Sequence, residues 1–592
     1  MEEEKKGKFA GTMDDKKVEI QNFIVNQDYE KADKLLMQYR DQFGWYDDTA
    51  AILDAAIGEY YGDRIRVWRA IRQGLMHNCR NYELYIMLGN YYLPENPNQS
   101  FLCYENALFY CDISEDKKAI EELLLQIKEH YNICVNKTAI VILSYNLLEY
   151  TKLCINSIRM TTPEYAREIV VVDNGSRDGS VEWLREQNDI ILVENEENRG
   201  FPAGCNQGIL VSSKETDIFL LNNDTMLPAN ALFWLRMGLY DKEENGAVGS
   251  VTNRAMYQAV RTGVNDVEGL LAFGEKTNVP MKYAYELRLY LIGFALLIKR
   301  LVIDKTGLLD ERFSPGNSED LDYGLRIFTA GYQNVLCRNS FIIHFGNKSF
   351  EKHPENYASV LRRNSAKLNE KWGFDVEYYS RVRGELACLI EESLEKPMHI
   401  LDIGCGCGAL MANIKSSYPN TEVYGIEIIP EIAEIASCMG TVLRGDVEKL
   451  DFPWQECFFD YIILGDVLEY LLAPGDLLRK LKKYLKPDGY IIISTPNVKH
   501  YSMVLPLLQK DEFPSGGGDI IDRMPVKRYT GVEIQRLVHC SGYKIDEFGY
   551  MTNEKELTER EKAMIDRLVS FMENPSPNSF LAYQYILKAS KK

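Results

Sequence analysis

The stretch Ile169-Val-Val-Val-Asp-Asn-Gly-Ser176 decides how this chain is organised from about residue 138 onward. Its four β-branched residues predict a buried strand, and the polar residues that follow predict a loop at the carboxyl end of that strand. Helical segments alternate with this run and with three others of the same form, at Ala139–Leu143, Ile190–Val193 and Ile218–Leu221. The alternation predicts a mainly parallel sheet with crossover helices, in which the carboxyl ends of the strands face a ligand crevice.

Upstream of this region, apolar positions recur at three- and four-residue spacing, which predicts helices throughout residues 1–135. Ile57-Gly58-x-x-Tyr61 recurs as Leu88-Gly89-x-x-Tyr92, and Ile71, Gly74 and Leu75 are echoed 33 residues later by Tyr104, Ala107 and Leu108. This spacing resembles the tetratricopeptide repeat, in which a small residue lets two antiparallel helices approach closely. An irregular helical bundle is the alternative. Either arrangement offers a surface for a protein partner.

Downstream, a charged stretch at about 376–395 predicts a helix, and a second strand-rich series begins at His399. A chain of 592 residues is long enough for three or four cores. We therefore expect a multidomain protein, with an all-α region at 1–135 and two α/β domains at 136–375 and 376–592.

The composition excludes several classes of protein. Hydrophobic residues make up 46% of the chain and charged residues 26%, which is typical of packed globular domains. The net charge of −19 disfavours a nucleic-acid partner. The start MEEEKKGKF lacks a signal peptide's apolar segment, and the apolar run Tyr290–Ile298 is shorter than the roughly 20 residues of a membrane span. With 13 scattered cysteines, the sequence predicts a cytoplasmic protein without an integral membrane segment.

The motifs of the first α/β domain resemble those of the family 2 glycosyltransferases with a GT-A fold, within a group that includes rhamnosyltransferases. In chain order they are Ser144-Tyr145-Asn146, Val172-Asp173-Asn174-Gly175-Ser176, Asn198-Arg199-Gly200-Phe201, Gly204-Cys205-Asn206-Gln207-Gly208, Leu221-Asn222-Asn223-Asp224, Glu319-Asp320-Leu321-Asp322 and His344. The resemblance covers about 138–350. It implies transfer of a sugar from a UDP- or dTDP-linked donor to a glycan or glycoprotein acceptor.

Four residues are candidates for binding the donor nucleotide. Asp173, at the end of its strand, can accept the imide N–H of uracil or thymine, and Asn174 begins the tight turn that follows. Asn206, between Gly200 and Gly208, is a candidate polar contact, and Asn222 a candidate contact to ribose or to metal-bound water. The alternative interpretation of both segments is an ordinary turn.

The diphosphate of such a donor calls for Mg²⁺ or Mn²⁺, which prefer oxygen ligands. Asp224 stands where the family has the last residue of its D-x-D motif, but Asn222 replaces the first aspartate. His344 matches a position at which the family often has a second ligand. The alternative for this histidine is a packed or surface residue.

Inversion at the anomeric carbon requires a base that accepts the proton of the acceptor hydroxyl. We expect Asp320 to be this base and Glu319 to orient the acceptor. Ser318 is expected to cap a helix that begins here. The apolar run Leu291–Ile298 is expected to form a strand at the floor of the acceptor site.

In the second α/β domain, Ile400-Leu-Asp-Ile-Gly-Cys-Gly-Cys-Gly408 predicts a strand that enters a glycine loop. Gly404-x-Gly406-x-x-Ala409 also satisfies the dinucleotide fingerprint of dehydrogenases. The residues that follow favour another family, because the set resembles class I S-adenosylmethionine-dependent methyltransferases over about 398–590. The resemblance implies S-adenosylmethionine as cofactor, bound by Asp402, Gly404, Gly406 and Gly408, with Glu427 at the ribose and Asp446 at the adenine.

Three further features fit the methyltransferase resemblance. Segments 543–550 and 580–588 are expected to form an antiparallel hairpin at the sheet edge. Val467-Leu468-Glu469 follows a central strand that begins at Phe459-Asp460. His500, just past Pro496-Asn497, is the candidate base for methylating a sugar hydroxyl, with an exposed loop histidine as the alternative.

The sequence therefore predicts a bifunctional enzyme of glycan assembly, which transfers a sugar and O-methylates a sugar. Two other hypotheses stay open. In one, the C-terminal domain is degenerate and only binds a nucleoside. In the other, the whole chain is a non-catalytic scaffold.

Overall fold

The computed structural model describes residues 13–43, 47–346, 354–512, 526–552, 557–573 and 576–592. Contacts divide the chain into two compact units, Met1–Glu286 with Tyr290–Lys367, and Leu287–Leu289 with Leu368–Lys592. The first unit contains a helical region and an α/β sheet, and the second contains another α/β sheet. The expected order of a helical region and two α/β regions is confirmed, while the domain borders at 135 and 375 stay predictions.

In its described residues, the helical region contains seven helices, and successive helices pack largely in pairs. They are α1 (Met13–Val25), α2 (Tyr29–Phe43), α3 (Asp48–Tyr61), α4 (Arg64–His77), α5 (Tyr82–Tyr92), α6 (Pro97–Tyr110) and α7 (Ser114–His130). A Cβ atom at Gly58 of α3 would lie 3.0 Å from Val67 of α4, and one at Gly89 of α5 would lie 2.3 Å from the ring of Tyr104 of α6. A glycine thus allows close helix packing in both pairs. The resemblance to tetratricopeptide repeats stays a prediction.

The first sheet has nine strands. They are β1 (Lys137–Ser144), β2 (Arg167–Asp173), β3 (Ile190–Glu194), β4 (Thr216–Asn222), β5 (Thr225–Met226), β6 (Asn245–Thr252), β7 (Tyr285–Arg288), β8 (Ala295–Ile298) and β9 (Gln333–His344). The order is β3-β2-β1-β4-β8-β6-β9-β5, with β7 also on β9. β3, β2, β1 and β4 are parallel, as the sequence predicts, whereas β8 runs antiparallel to both of its neighbours.

Eight helices accompany this sheet. They are α8 (Leu148–Thr161), α9 (Ser180–Arg185), α10 (Phe201–Val211), α11 (Ala231–Leu239), α12 (Val267–Thr277), α13 (Arg300–Thr306), α14 (Glu319–Thr329) and α15 (Pro354–Trp372). In α10, Gly204 and Gly208 face β1, and a Cβ atom at either position would lie 2.2–2.3 Å from Leu143 or Val141. These glycines therefore bring the helix backbone close to the sheet.

The helical region and the first sheet share one hydrophobic core. Helix α6 packs against α11, and between them the buried side chains of Glu105 and Arg236 form an ion pair. The side chain of Asn230, at the start of α11, bonds to Asn106 at 3.2 Å and to the hydroxyl of Tyr110 at 3.0 Å. Polar as well as apolar contacts therefore join the two regions.

The second unit contains a seven-stranded sheet with the order β12-β11-β10-β13-β14-β16-β15. Its elements are α16 (Val376–Tyr379), α17 (Gly384–Ala387), β10 (Met398–Ile403), α18 (Ala409–Ser417), β11 (Thr421–Glu427), α19 (Pro430–Ala436), β12 (Thr441–Arg444), β13 (Phe459–Gly465), α20 (Pro474–Tyr484), β14 (Leu485–Pro496), α21 (Tyr501–Lys510), α22 (Gly531–Cys540), β15 (Tyr543–Thr552), α23 (Glu559–Ser570), α24 (Asn578–Leu581) and β16 (Ala582–Lys591). β10 to β14 are parallel, and β15 and β16 form the predicted antiparallel hairpin.

Two predicted elements differ from the structure. The strand expected over Leu291–Ile298 begins only at Ala295, because the backbone N–H of Ile292 donates to the side chain of Gln258 at 2.6 Å. The helix expected over 376–395 is reduced to α16 and α17, four residues each. In the described ranges, no helix is both long and apolar enough to cross a membrane.

Candidate active sites

The first candidate site lies where the parallel strands of the first sheet end. Strand register places Ser144 opposite Asp173 and Leu143 opposite Asn222, so β1, β2 and β4 end at the same level. Asp173 is fully buried, and its Oδ1 accepts hydrogen bonds from the backbone N–H groups of Gly175 at 3.0 Å and Ser176 at 2.8 Å. Its Oδ2 is buried without a partner among the described residues. This oxygen is therefore available to a ligand.

Asn174 supports the neighbouring loop. Its side-chain N–H groups donate to Asn198 Oδ1 at 3.2 Å and to the carbonyl of Gly200 at 3.3 Å, while its Oδ1 accepts from Asn195 at 2.9 Å. These bonds fix the segment 195–200 that leads into α10. The amide of Asn174 thus already has protein partners at both of its ends.

Asn206 joins two segments that are far apart in sequence. Its Nδ2 donates to the carbonyl of Leu309 at 2.9 Å and to Glu311 Oε1 at 3.0 Å, and its Oδ1 accepts from the N–H of Leu309 at 2.9 Å. The residue is buried. Protein groups therefore occupy both ends of this amide, and the contact of Asn206 to the nucleotide stays a prediction.

Asp224 and His344 lie together. β5 and β9 pair with Thr225 opposite His344, and His344 Nε2 lies 3.3 Å from Asp224 Oδ1. The other ring nitrogen, Nδ1, lies 2.8 Å from the backbone carbonyl of Arg254. Since a carbonyl only accepts, Nδ1 carries a hydrogen, and Nε2 is the ring nitrogen that faces the carboxylate.

The fit of this pair to a divalent cation follows from its donors. A carboxylate oxygen and an imidazole lone pair directed at one point are ligands that Mn²⁺ accepts, and the carbonyl behind Nδ1 fixes the ring as in many metal sites. Within the described ranges, no group of three or more His, Cys, Asp or Glu side chains could hold a metal. A cation held here would need ligands from the donor or from water.

The two asparagines before Asp224 have different surroundings. Asn223 is buried, and its Nδ2 donates to Thr151 Oγ1 at 3.0 Å. Asn222 is half-buried, and its backbone N–H donates to the carbonyl of Phe294 at 2.9 Å. The ring of Phe294 also stacks on His344, with centroids 5.1 Å apart. Asn222 and His344 therefore both contact Phe294, one at its backbone and the other at its ring.

Glu319 and Asp320 begin α14. Glu319 is buried with one carboxylate oxygen unpartnered among the described residues, whereas Asp320 is half-buried. Burial, together with the neighbouring charge of Asp320, raises the pKa of Glu319 well above its ordinary value. Both effects favour the protonated form of Glu319. A Cβ atom at Gly293 would lie 3.9 Å from Asp320, so the residues before β8 do lie beside this carboxylate.

Ser318 does not cap α14 as predicted. It occupies the N-cap position with φ 76°, in the left-handed region, and its side chain makes no capping hydrogen bond. An N-cap side chain normally reaches the helix from extended backbone, which this residue does not adopt.

The second candidate site lies at the glycine loop after β10. Gly406 has φ 53°, and a Cβ atom there would lie 2.6 Å from the carbonyl of Tyr379. Its N–H donates to Glu427 Oε2 at 3.1 Å, while Oε1 of the same carboxylate accepts from the N–H groups of Ile428 and Ile429. Glu427, at the end of β11, therefore holds the loop in place. Burial raises the pKa of Glu427.

The two other acids predicted at this site differ in charge environment. Burial raises the pKa of Asp402 to about 7, with the charge of Arg383 opposing this rise and that of Glu427 adding to it. Asp446 follows β12 and is half-buried, and its hydrogen bond with Lys449 lowers its pKa. Gly404 and Gly408 adopt φ 71° and 85° on either side of Gly406.

A polar cluster that the sequence reasoning missed lies beyond β13 and β14. Asp466 accepts from Arg383 at 3.0 Å, Ser494 at 2.9 Å and Gln584 at 2.6 Å. Nearby Glu469 is buried with one oxygen unpartnered among the described residues, and burial raises its pKa well above the ordinary value. Asp466 directly follows a strand, so the same pattern that selected Asp173 could have found it.

His500 is buried at the start of α21, and its Nδ1 lies 2.7 Å from Ser502 Oγ. Its Nε2 is buried without a partner among the described residues. Burial lowers the pKa of His500 to about 4, so the ring is neutral near pH 7. The structure therefore does not place it in an exposed loop.

Comparisons with known proteins match each α/β region. A family model described as glycosyl transferase family 2 matches residues 139–300, and one described as methyltransferase domain matches 375–547. The uncharacterized glycosyltransferase YfnE of Bacillus subtilis is 25% identical over 284 residues, which cover 40% of this chain and 70% of that protein.

The second region is similar to a malonyl-[acyl-carrier protein] O-methyltransferase of Halalkalibacterium halodurans, 30% identical over 112 residues. That match covers 18% of this chain and less than half, 41%, of that protein. Among solved structures, mannosyltransferase PcManGT of Pyrobaculum calidifontis is 19% identical with a TM-score of 0.30, covering 39% of this chain and 64% of that one. The chain thus contains two enzyme domains, a family 2 glycosyltransferase domain and a methyltransferase domain.

Proposed function

We propose that the first domain, with a GT-A fold, transfers a sugar from a UDP- or dTDP-linked donor to a glycan or glycoprotein acceptor, with inversion. The observation that carries this proposal is that β2 and β4 end at the same level of the sheet, with Asp173 at the end of β2 and the Asp224–His344 pair just after β4. The Glu319–Asp320 pair begins α14 in the same compact unit. Each of these groups has an oxygen or nitrogen suited to one part of the reaction. Rhamnose is the sugar that the resemblance favours.

In this proposal Asp173 recognises the base of the donor nucleotide. Its buried Oδ2 accepts the imide N–H of uracil or thymine, while two backbone N–H groups hold its Oδ1 in place. A carboxylate that is already oriented loses little freedom when the base binds. Asn174 acts indirectly, because its amide supports the loop beside the base.

Asp320 is the proposed base. With two adjacent carboxyl groups, the buried one keeps its proton and the more exposed one carries the charge, and here Glu319 is the buried member. Asp320 therefore accepts the proton of the acceptor hydroxyl as that oxygen attacks the anomeric carbon. The neutral Glu319 donates a hydrogen bond and orients the acceptor.

Asp224 and His344 are the proposed protein ligands of a Mg²⁺ or Mn²⁺ ion. When bound, such an ion neutralises charge on the leaving diphosphate. Asn222, which shares Phe294 as a neighbour with His344, is the proposed contact to the donor ribose.

The second domain, with a Rossmann-like fold, is proposed to O-methylate a sugar with S-adenosylmethionine. The left-handed glycine loop lets the cofactor approach the backbone, and Glu427 keeps lone pairs for the ribose hydroxyls after holding the loop. Asp446 is the proposed contact to the adenine. Asp402 lies buried at the start of the loop and supports it. His500, a neutral ring with an unpartnered Nε2, is the proposed base.

We also propose that the enzyme acts in the cytoplasm and binds a protein partner. All 13 cysteines are free, which suits the reducing cytoplasm. The helical region is the proposed docking surface for a protein partner. Two activities in one chain raise the effective concentration of one product at the other site.

The test combines purified protein with a panel of UDP- and dTDP-sugars, Mn²⁺ or EDTA, and S-adenosylmethionine. We expect metal-dependent hydrolysis of one nucleotide sugar, and its loss in Asp224→Ala. Absence of hydrolysis and of nucleotide binding across the panel would overturn the glycosyltransferase assignment. Calorimetry with S-adenosylmethionine and a methyl-release assay separate an active second domain from one that binds the nucleoside without catalysis.

A further inference from the structure

The segment that follows β6 is attached to His344 by several hydrogen bonds. The side chain of Asn253 accepts from the backbone N–H of His344 at 2.9 Å and donates to its carbonyl at 3.1 Å. The next residue, Arg254, accepts from Nδ1 of the same histidine at 2.8 Å. Arg254 is thereby held directly beside the Asp224–His344 pair, although 90 residues separate it from His344 in sequence.

The guanidinium of Arg254 is exposed and only partly used. Its Nη1 donates to the carbonyl of Phe345 at 3.2 Å, and the N–H of Phe345 donates in turn to the carbonyl of Asp224 at 3.0 Å. Among the described residues, that carbonyl is the only hydrogen-bond partner of the guanidinium, and no carboxylate pairs with it. Because a guanidinium has five N–H donors, most of them remain available to a ligand.

The stem of Arg254 is also positioned by the backbone. Gly346 has φ 71°, and a Cβ atom there would lie 3.3 Å from Cδ of Arg254. The arginine therefore packs against the chain just after His344. The charged end reaches the carbonyl of Phe345, the residue that follows His344.

The net charge around the Asp224–His344 pair favours an additional cationic side chain for binding a diphosphate. Asn222 stands where the resemblance has a carboxylate, so the site has one negative charge fewer with which to bind a cation. A diphosphate brought to a more weakly held cation retains more of its own negative charge. Arginine matches this ligand, since its planar fork makes paired, charge-assisted hydrogen bonds to phosphate oxygens.

We propose that Arg254 binds the diphosphate of the nucleotide-sugar donor, and that it shares with the cation the neutralisation of that group. This inference rests on the proposed glycosyltransferase function. It assigns Arg254 as a donor-binding residue and makes part of the nucleotide affinity independent of metal.

Calorimetry with UDP and dTDP, in EDTA and in Mn²⁺, tests the assignment without relying on turnover. In EDTA we expect wild type to bind one of the two nucleotides, and Arg254→Ala to bind it about tenfold to a hundredfold more weakly, the loss of charge-assisted hydrogen bonds. Arg254→Lys should recover part of the affinity. Arg261→Ala is the matched control, because Arg261 is an exposed arginine in the same segment and should bind like wild type.

Asn222→Asp tests the charge argument separately. The added carboxylate should lower the Mn²⁺ concentration at which nucleotide binding is half-maximal. In the double variant Asn222→Asp/Arg254→Ala, the penalty of losing the arginine in Mn²⁺ should be smaller than in the single variant. Equal penalties would overturn the idea that cation and arginine share the diphosphate.

The outcomes separate this inference from the proposed function. If wild type binds UDP or dTDP and Arg254→Ala binds it as tightly as Arg261→Ala, the assignment of Arg254 is wrong and the glycosyltransferase proposal stands. If wild type binds neither nucleotide and hydrolyses no nucleotide sugar, both fail. Thermal unfolding of Arg254→Ala checks folding, and Arg254→Gln, which keeps the hydrogen bond to Phe345 without the charge, replaces it if needed.

Discussion

Replacing Glu105 by alanine removes one half of the buried ion pair that joins helix α6 to helix α11. The side chains of Arg236 and Glu105 are only 7% and 9% exposed, and the remaining hydrogen bond of the guanidinium is to the carbonyl of Asn136 at 3.0 Å. Its Nε is already buried without a partner among the described residues. Breaking a buried pair in this way leaves an uncompensated charge, which costs about 3–5 kcal/mol.

The chain contains its own control for this prediction. Arg80 and Glu275 also join the helical region to the first sheet, at 2.6 Å, but their side chains are 54% and 37% exposed. An exposed pair contributes about 0–1 kcal/mol, so Glu275→Ala should change stability little. Replacing both buried partners, as in Glu105→Leu/Arg236→Met, should recover most of the loss, because no charge is then left unpaired.

Hydrogen exchange followed by mass spectrometry reads the effect at the helices themselves, which matters because two compact units rarely unfold in one step. A loss of about 3 kcal/mol corresponds to exchange roughly a hundredfold faster in peptides from α6 and α11. If these peptides exchange no faster in Glu105→Ala than in Glu275→Ala, the ion pair does not hold the two regions together and the reasoning is wrong.

Three further predictions concern the candidate sites. Asp320→Asn should lower sugar transfer by about 10²–10⁴ while UDP affinity is unchanged. Glu319→Gln should retain most transfer, because the raised pKa of Glu319 favours its protonated form, which glutamine resembles. Calorimetry measures UDP affinity and product analysis measures transfer, and the opposite ranking of the two variants would exchange their roles. His344→Ala should raise the Mn²⁺ concentration for half-maximal donor hydrolysis at least tenfold, while an unchanged Mn²⁺ titration would exclude it as a ligand. The pKa of Asp402 rises from 3.8 to about 7 on folding, so the folded state holds an extra proton and stability falls as pH rises through this range. From pH 5 to 8, the free energy of unfolding of wild type should fall by on the order of 3 kcal/mol relative to that of Asp402→Asn. Urea unfolding at several pH values measures this, and parallel pH profiles of the two proteins would contradict it.

The parallel strands and their polar ends were predictable because both signals are local. A buried strand has to be apolar, and the residue that ends it is free to be polar, so Asp173 and Glu427 could be assigned to strand ends from sequence alone, while their roles in binding stay predictions. The same reasoning could have reached Asp466. The ends of the strands were predicted less accurately. The strand expected from Leu291 begins four residues later, and the side chain of Gln258 accepts the hydrogen bond of the backbone N–H of Ile292 instead of a neighbouring strand.

What could not be predicted depends on contacts between distant segments. Asn206 has the composition of a ligand contact, but Leu309, more than a hundred residues away, takes both ends of its amide. Arg254 has no sequence motif, and only the fold places it beside His344. Local rules also fail where the backbone is unusual, as at Ser318, whose left-handed conformation prevents the capping bond.

The two glycines of α10 have a consequence for altering the enzyme. Gly204 and Gly208 set how closely the helix packs on Leu143 and Val141, and Gly204 also lies beside Asn174, which supports the loop before the helix. A methyl group at either glycine would push the helix away from the sheet, and the loop beside the proposed nucleotide site would move with it. A search for variants that accept bulkier donors could therefore begin at the contacts between α10 and β1, without changing the proposed catalytic side chains.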